Sequence, residues 1–529
     1  MIFLKRVFAL SMALLLAACN TPTTVPAPTV IPTVQPVVTT VATAPGLPPH
    51  DANRPTIVIN PAQARPFSRY LLGTNVPAWL NPYRLSDETF INRTAEAGVT
   101  LLRMPGGSWS NSYAWADCET GGDGCYWPWA AKPSDFLRFA RAVNAEIIWT
   151  VSINGSAQEA AALVAFFNGS IDDTRIIGVD ARGRDWQTVG YWARLRADLV
   201  SPDPFPVRYW EIGNEVYGAK RDVGPNCSEW GWEDVWTCDA DEYLRGATVD
   251  GIAYDGYLAF YDAMKAVDPT IQIGAVGIEK PDEWTDWGHR VIAGAGEKLD
   301  FYVVHYYPFF QPPENPAGAL LQPQRSWATI MSDLRAAFEQ HVGRQVPVAV
   351  TEYNLVSFQD LDNGQLMRRA VNLLFIADSI GQMATHGVAI ANQWDLANGR
   401  AANGTDYGLL DADTFDPNPS YYALMLWSRF GDELLEVQSP FDPAQTLSLY
   451  AGRRSDGTLT LLAINKTAQP LEATFGLPEG SWQVSATIIS ADDLLAETVS
   501  LVQTESPVPL EQPFTFTPFA ITLLTFTSS

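Results

Sequence analysis

The sequence predicts an α/β protein, a (β/α)8 TIM barrel followed by a C-terminal β-sandwich. Three features carry that expectation. Between about residues 70 and 431, eight short runs of β-branched and aromatic residues alternate with longer helix-like segments. The runs are continuously apolar, as strands are when both faces of a parallel sheet are covered. From residue 432 onward the helical texture stops, and short strand-like runs separated by turn signals take over. A doubly wound sheet would need fewer units or a Gly-rich phosphate loop, and the chain contains no GxGxxG.

Taken in order, residues 1–18 read as a targeting segment. Lys5 and Arg6 form a positive start, and "VFALSMALLLAA" (7–18) is too short to span a bilayer comfortably. It ends in "LAAC", which resembles a bacterial lipobox and implies cleavage before Cys19 and lipid attachment to that thiol. An ordinary cleaved signal peptide is the alternative. The Pro/Thr/Val-rich stretch that follows, within a linker over 19–54, has no apolar periodicity and reads as a spacer. The expectation is an exported lipoprotein anchored to the membrane through Cys19, on the extracytoplasmic side of a bacterial cell. "TIVINPAQARPFS" (56–68), inside a segment 55–69, is strand-like and is expected to join the sandwich.

The barrel, 70–431, is expected to use strands at 70–75, 99–104, 146–153, 207–213, 271–276, 300–307, 346–353 and 388–395. Helix patterns fall at 86–98, 133–144, 157–169, 256–267, 367–387 and 418–431. In residues 432–529 a hairpin signal, "SDGT", sits between alternating runs, and two further strand-rich stretches follow.

The 529 residues include 59 acidic and 34 basic side chains, a net charge of −25. That balance repels phosphate backbones and excludes nucleic acid as a natural partner. With Cys19 set aside, four cysteines remain, paired closely in sequence. Two local bridges are expected in an exported protein, Cys118–Cys125 and Cys227–Cys238, with free thiols or crossed pairing as alternatives. No metal or cofactor is expected, since the five histidines show no ligand spacing.

The chemistry is concentrated in "YWEIGNEVYG" (209–218) and "VPVAVTEYN" (346–354). Glu215 follows predicted strand four and Glu352 ends predicted strand seven. In a closed barrel both strand ends open on one face, where barrel active sites lie. Either Glu alone reads more readily as a helix N-cap or an ion-pair partner. The pair, with Asn214 immediately before the first, is more specific. Two carboxylates about 5 Å apart are what retaining glycoside hydrolysis requires. Glu352 would be the nucleophile and Glu215 the acid/base, its proton retained through repulsion from ionised Glu352. Asn214 would donate to the sugar 2-hydroxyl.

These motifs resemble glycoside hydrolase family 51, the α-L-arabinofuranosidases of the large (β/α)8 glycosidase clan. "LLRMPGGSWSNSYAW" (101–115) is similar to the family's Arg-Pro-Gly-Gly loop, and 147–169 to its strand-three segment. The resemblance implies a barrel with a β-sandwich, an acid/base at Glu215, a nucleophile at Glu352 and substrate contacts from Arg103 and Asn214. The chain departs from the pattern in three places. Strand one carries no Glu, Ser108 follows Gly106-Gly107 where the family has Asn, and Thr351 precedes Glu352 where the family has Asp. An endo-β-glycanase acting on xylan or glucan, and a non-catalytic glycan-binding lipoprotein, are the competing functions.

Further substrate-site candidates are His305 and Tyr307 at the end of strand six, either of which could orient Glu352, and Gln393 and Trp394 at the end of strand eight. Trp109 and Trp115 are expected to build subsites. Trp230, Trp232 and Trp236, in the Cys227–Cys238 loop, are expected to rim the cleft.

Overall fold

Eight parallel strands close on themselves: Gly73–Pro77, Leu101–Gly106, Glu146–Val151, Tyr209–Ile212, Gln272–Val276, Phe301–Tyr306, Val348–Tyr353 and Ile390–Gln393, here called barrel strands one to eight. Each overlaps its expected run, and strand eight returns to strand one with Asn392 opposite Gly73. The computed structural model describes residues 55–218, 235–504, 506–510 and 513–528. Cys19, the rest of the leader and linker, Cys227, Trp230 and Trp232 lie outside the described residues. Among the described residues no helix is long and apolar enough to cross a membrane.

The continuous apolar texture of the strands has its reason in two-sided burial. Their outward residues meet helices such as Ala157–Asn168, which begins where the Ser156 hydroxyl accepts from the Glu159 backbone N–H. Their inward residues alternate along each strand and stack in layers. The lower layer is apolar: Leu101, Ile148, Phe301, Val303, Ala349 and Ile390. Two residues further along the strands, the layer turns polar while remaining buried: Arg103, Thr150, Glu211, His305 and Thr351. An apolar plug therefore supports a buried charged floor directly below the strand ends.

Between strands four and five the chain makes an unexpected hairpin, Gly246–Val249 with Ile252–Asp255. Asp250 and Gly251 both have positive φ (52° and 80°), the backbone that a two-residue hairpin turn demands. The Asp-Gly pair was the signal for it.

The sheet domain is ten-stranded and curls into a sandwich. Thr56–Pro66 enters it from the other end of the chain, antiparallel to Glu433–Gln438 and parallel to Leu471–Gly476. Its separate core includes Ile57, Ile59, Leu461, Leu524 and Phe526. The barrel helix Ala370–His386, buried along most of its length, carries Asp378 to meet the sheet. Lys466 Nζ lies 2.6 Å from Asp378 Oδ2, and both side chains are buried.

Candidate active site

Glu215 sits in a tight turn directly after strand four. Its φ of 48° is left-handed, which costs a non-glycine residue on the order of 1 kcal/mol and is tolerated where neighbours fix the backbone. Here Asn111, from the strand-two loop, clamps the turn. Its Oδ1 accepts from the Asn214 N–H at 2.7 Å, and its Nδ2 donates to the Asn214 carbonyl at 2.8 Å.

Glu352 reaches the same face by a different device. Opposite strand six, Val350 pairs with Val304 but Glu352 pairs with His305, so Thr351 is an extra residue. Such a bulge re-aims the side chains that follow it. Simple alternation would send Thr351 inward and Glu352 outward. With the bulge, Thr351 hydrogen-bonds His305 and Glu211, while Glu352 reaches Arg103 and Tyr307. One carboxylate oxygen each of Glu215 and Glu352, and one ring nitrogen of His305, all lie within 4.8 Å of one another.

Arg103 is the hub beneath the pair. Its guanidinium forks onto Glu211, with Nε to Oε2 at 2.7 Å and Nη2 to Oε1 at 3.0 Å. It also donates to Glu352 Oε1 at 2.8 Å, Asn214 Oδ1 at 2.8 Å and Asn75 Oδ1 at 2.9 Å. Tyr307 OH donates to the other oxygen of Glu352 at 2.9 Å. His305 Nδ1 is 2.7 Å from Glu215 Oε1, and its Nε2 is 3.1 Å from Thr351 Oγ1, whose hydroxyl donates to Glu211 at 3.3 Å. That chain is self-consistent for a doubly protonated imidazole. Burial works against the charged ring, but the carboxylates of Glu352 and Glu215 outweigh it, and the His305 pKa is raised.

Burial also pushes the Glu352 carboxyl above its usual range, against the lowering pull of His305 and Arg103, with the Glu215 charge adding to the rise. In the unliganded protein a raised pKa therefore falls on the expected nucleophile. Asp395, next to Trp394, is raised well above the carboxylate range by burial, then by Asp406 and Glu352. Among the described residues its buried carboxyl oxygens have no side-chain partner, which favours the neutral acid.

Among the described residues, Glu215, His305 and Glu352 are also the one group of three able to converge on a cation. Both oxygens of Glu352 already accept hydrogen bonds, from Arg103 and Tyr307.

Above the pair opens a cleft of about 510 Å³, lined by Asn214, Glu215, Tyr307, Glu352, Trp109 and Trp394, as expected, and also by Trp79, Trp284, Phe310, Phe358 and Tyr407. Among the described residues the buried Asn214 amide nitrogen has no hydrogen-bond partner. Gly107 allows the aromatic floor to form. Its φ is +79°, and a Cβ there would lie 2.6 Å from the Trp394 ring.

Four expectations need correction. Arg103 is wholly buried, so it holds Glu352 and Asn214 from below instead of meeting substrate. Gln393 is also fully buried, spending its amide on the Trp394 and Tyr407 carbonyls. Trp115 belongs to the core, its indole N–H bound to the Glu159 carbonyl. Trp236 is buried against Asn154 rather than exposed on a rim. His305 touches Glu215 directly, while Tyr307 orients Glu352. The Cys118–Cys125 bridge is formed, with sulfurs 2.09 Å apart. Cys238 is disulfide-bonded as well.

The sequence reading passed over Glu211, Thr351, Asn111, Asn75 and Trp79 as parts of the site. Glu211 lies two residues after Tyr209 on strand four, the spacing of one strand face, the one available signal. The bulge that turns Thr351 and Glu352 together left no mark in the residues.

A closed barrel with two facing carboxylates beneath an aromatic cleft is a glycosidase-type architecture. A family model described as Alpha-L-arabinofuranosidase 1 domain matches residues 95–311. Alpha-L-arabinofuranosidase C of Emericella nidulans is 24% identical over 220 residues, 38% of this chain and 35% of that protein. The intracellular exo-alpha-(1->5)-L-arabinofuranosidase of Halalkalibacterium halodurans is 25% identical over 237 residues, 41% of this chain and 38% of that protein. The chain thus spans little more than a third of these curated relatives. The crystal structure of an α-L-arabinofuranosidase from Thermotoga maritima in complex with arabinose superposes with a TM-score of 0.67 at 20% identity, covering 89% of this chain and 99% of that one. The chain is thus similar to the α-L-arabinofuranosidases over residues 95–311, and its fold is that of solved family 51 enzymes.

Proposed function

We propose that the protein is a retaining glycoside hydrolase that removes α-L-arabinofuranosyl units from plant-type polysaccharide. The observation that carries this reading is the approach of the Glu215 and Glu352 carboxylates to within 4.8 Å, close to the ~5 Å spacing of double displacement. A Glu352 oxygen attacks the anomeric carbon as the bond to the leaving oxygen breaks, and the Glu215 carboxyl gives that oxygen its proton. Forming the ester removes the Glu352 charge. Ionised Glu215 then takes a proton from water, whose oxygen bonds to the anomeric carbon and expels Glu352 as carboxylate. Arg103 and Tyr307 hold Glu352 in line, and His305, hydrogen-bonded to Glu215, fixes the position of that carboxyl. Asn214 Nδ2 serves the sugar 2-hydroxyl.

In this reading the folded part is exported and tethered by lipid at Cys19. A purely glycan-binding role has no use for two opposed carboxylates with separate supports. An endo-β-glycanase would carry out the same chemistry on an internal bond.

A panel of aryl arabinofuranoside, xyloside and glucoside, read together with polysaccharide digestion, decides among these. Arabinofuranoside turnover with retained anomeric configuration in the first-formed product is expected. Glu352→Ala should reduce it to background. Glu215→Ala should cost about 10²–10⁴-fold on substrates with poor leaving groups and be rescued by azide. Internal polymer cutting with every aryl glycoside inert would select the endo reading instead.

A further inference from the structure

Trp109 and Trp394 border the cleft, but the aromatic surface continues past them. Ring contacts run from Trp394 to Trp79 at 5.9 Å between centroids, and from Trp79 to Trp109 at 5.3 Å. Trp127 lies flat on Trp109 at 4.2 Å and 9°. Trp129 meets Trp109 edge-on at 5.7 Å, and Tyr126 meets Trp127 at 5.0 Å. Tyr126 and Trp129 are 59% and 50% exposed. Large exposed aromatics joined into one surface mark a place where something binds.

The outer rings are also held in position. Tyr126 follows Cys125 directly, and the Cys118–Cys125 bridge fastens that residue to the short helix Trp115–Thr120, whose Trp115 and Cys118 are buried. Rings fixed in advance lose little freedom when a ligand settles on them. Flat apolar faces suit the C–H faces of successive sugar rings, and a chain of net charge −25 favours a neutral glycan over an acidic one. The platform is continuous with the cleft, so its occupant is the same molecule that enters the cleft.

We propose that Tyr126, Trp127 and Trp129 form a platform for a neutral polysaccharide, holding the polymer from which the cleft removes its sugar. This rests on the glycosidase reading of the cleft and names its substrate as polymeric. The test is Tyr126→Ala/Trp129→Ala, assayed on arabinoxylan, on linear arabinan and on 4-nitrophenyl α-L-arabinofuranoside. KM for the polymers should rise about tenfold, the loss of one to two ring contacts, while kcat/KM on the small glycoside is unchanged. Trp129→Tyr should keep most of the polymer affinity. Retention of the Glu352→Ala protein in an arabinoxylan-containing gel should be lost when the two ring truncations are added. Unchanged polymer KM and gel retention would overturn the platform, as would an equal loss on polymer and small glycoside. Ring-dependent gel retention without turnover of any substrate would sink the hydrolase reading and leave the platform standing.

Discussion

His305 joins the two candidate catalytic groups, and its protonation ties them to pH. Its raised pKa means the native imidazole keeps a proton that the unfolded chain releases near pH 6.5. The stabilisation is therefore complete below about pH 6.5 and is lost as pH rises through the folded value. The native protein should lose melting temperature between pH 6 and 9, and His305→Gln should flatten that fall. A purely steric role for the ring would leave that slope unchanged. Glu211 answers a second question at this scale, why a full positive charge can be buried under a cleft. Arg103 and Glu211 are both 0% exposed and form a bidentate pair. Glu211→Ala should cost about 3 kcal/mol by urea unfolding, because removing one partner strands a buried charge. "YWEIGNEVYG" made the Glu215 end of this arrangement legible, since a strand ending in Asn-Glu is uncommon. It did not make Glu211 legible as a partner, because pairing 108 residues away depends on strand adjacency.

At the scale of elements, two local devices set the site: the left-handed turn after strand four and the bulge in strand seven. The Gly106-Gly107 pair is a third. Gly107→Ala would place a methyl 2.6 Å from Trp394 and 3.2 Å from Trp79, on a backbone that disfavours any side chain. We expect a stability loss of about 1–2 kcal/mol and a larger loss in affinity for substrate, measured as a rise in KM on the aryl glycoside. An unchanged KM would mean that the Trp79–Trp394 floor does not touch the sugar. All eight barrel strands were readable from their apolar runs because burial on both faces writes itself into composition. Trp109 and Trp115 show the limit of that reading. They share one loop sequence, yet one lines the cleft and the other anchors a helix to the core.

At the scale of the molecule, the sheet domain closes over a barrel helix and shares a buried ion pair with it. Asp378 receives Lys466, Tyr450 and Gln324, so the barrel and sheet satisfy one carboxylate together. Lys466→Met should destabilise by about 3 kcal/mol, and calorimetry of the native protein should show barrel and sheet melting in one transition. A separate early transition for the sheet would show that the shared carboxylate does not couple them. The strand Thr56–Pro66 makes the same point in topology. It precedes the barrel in sequence but lies between two strands of the distal sheet. Removing it should expose sheet edges on both sides and reduce solubility.

The sequence by itself determined the barrel, the sandwich and the two carboxylate-bearing strand ends. Period, burial and turn chemistry are local properties, and each is recorded in neighbouring residues. Only the tertiary structure decided which polar residues meet. Arg103 became a buried support instead of a substrate contact, His305 reached Glu215, and Thr351 and Glu352 turned inward together. These outcomes depend on which strands lie side by side and on one extra residue in a ladder. A chain read one segment at a time carries no record of either.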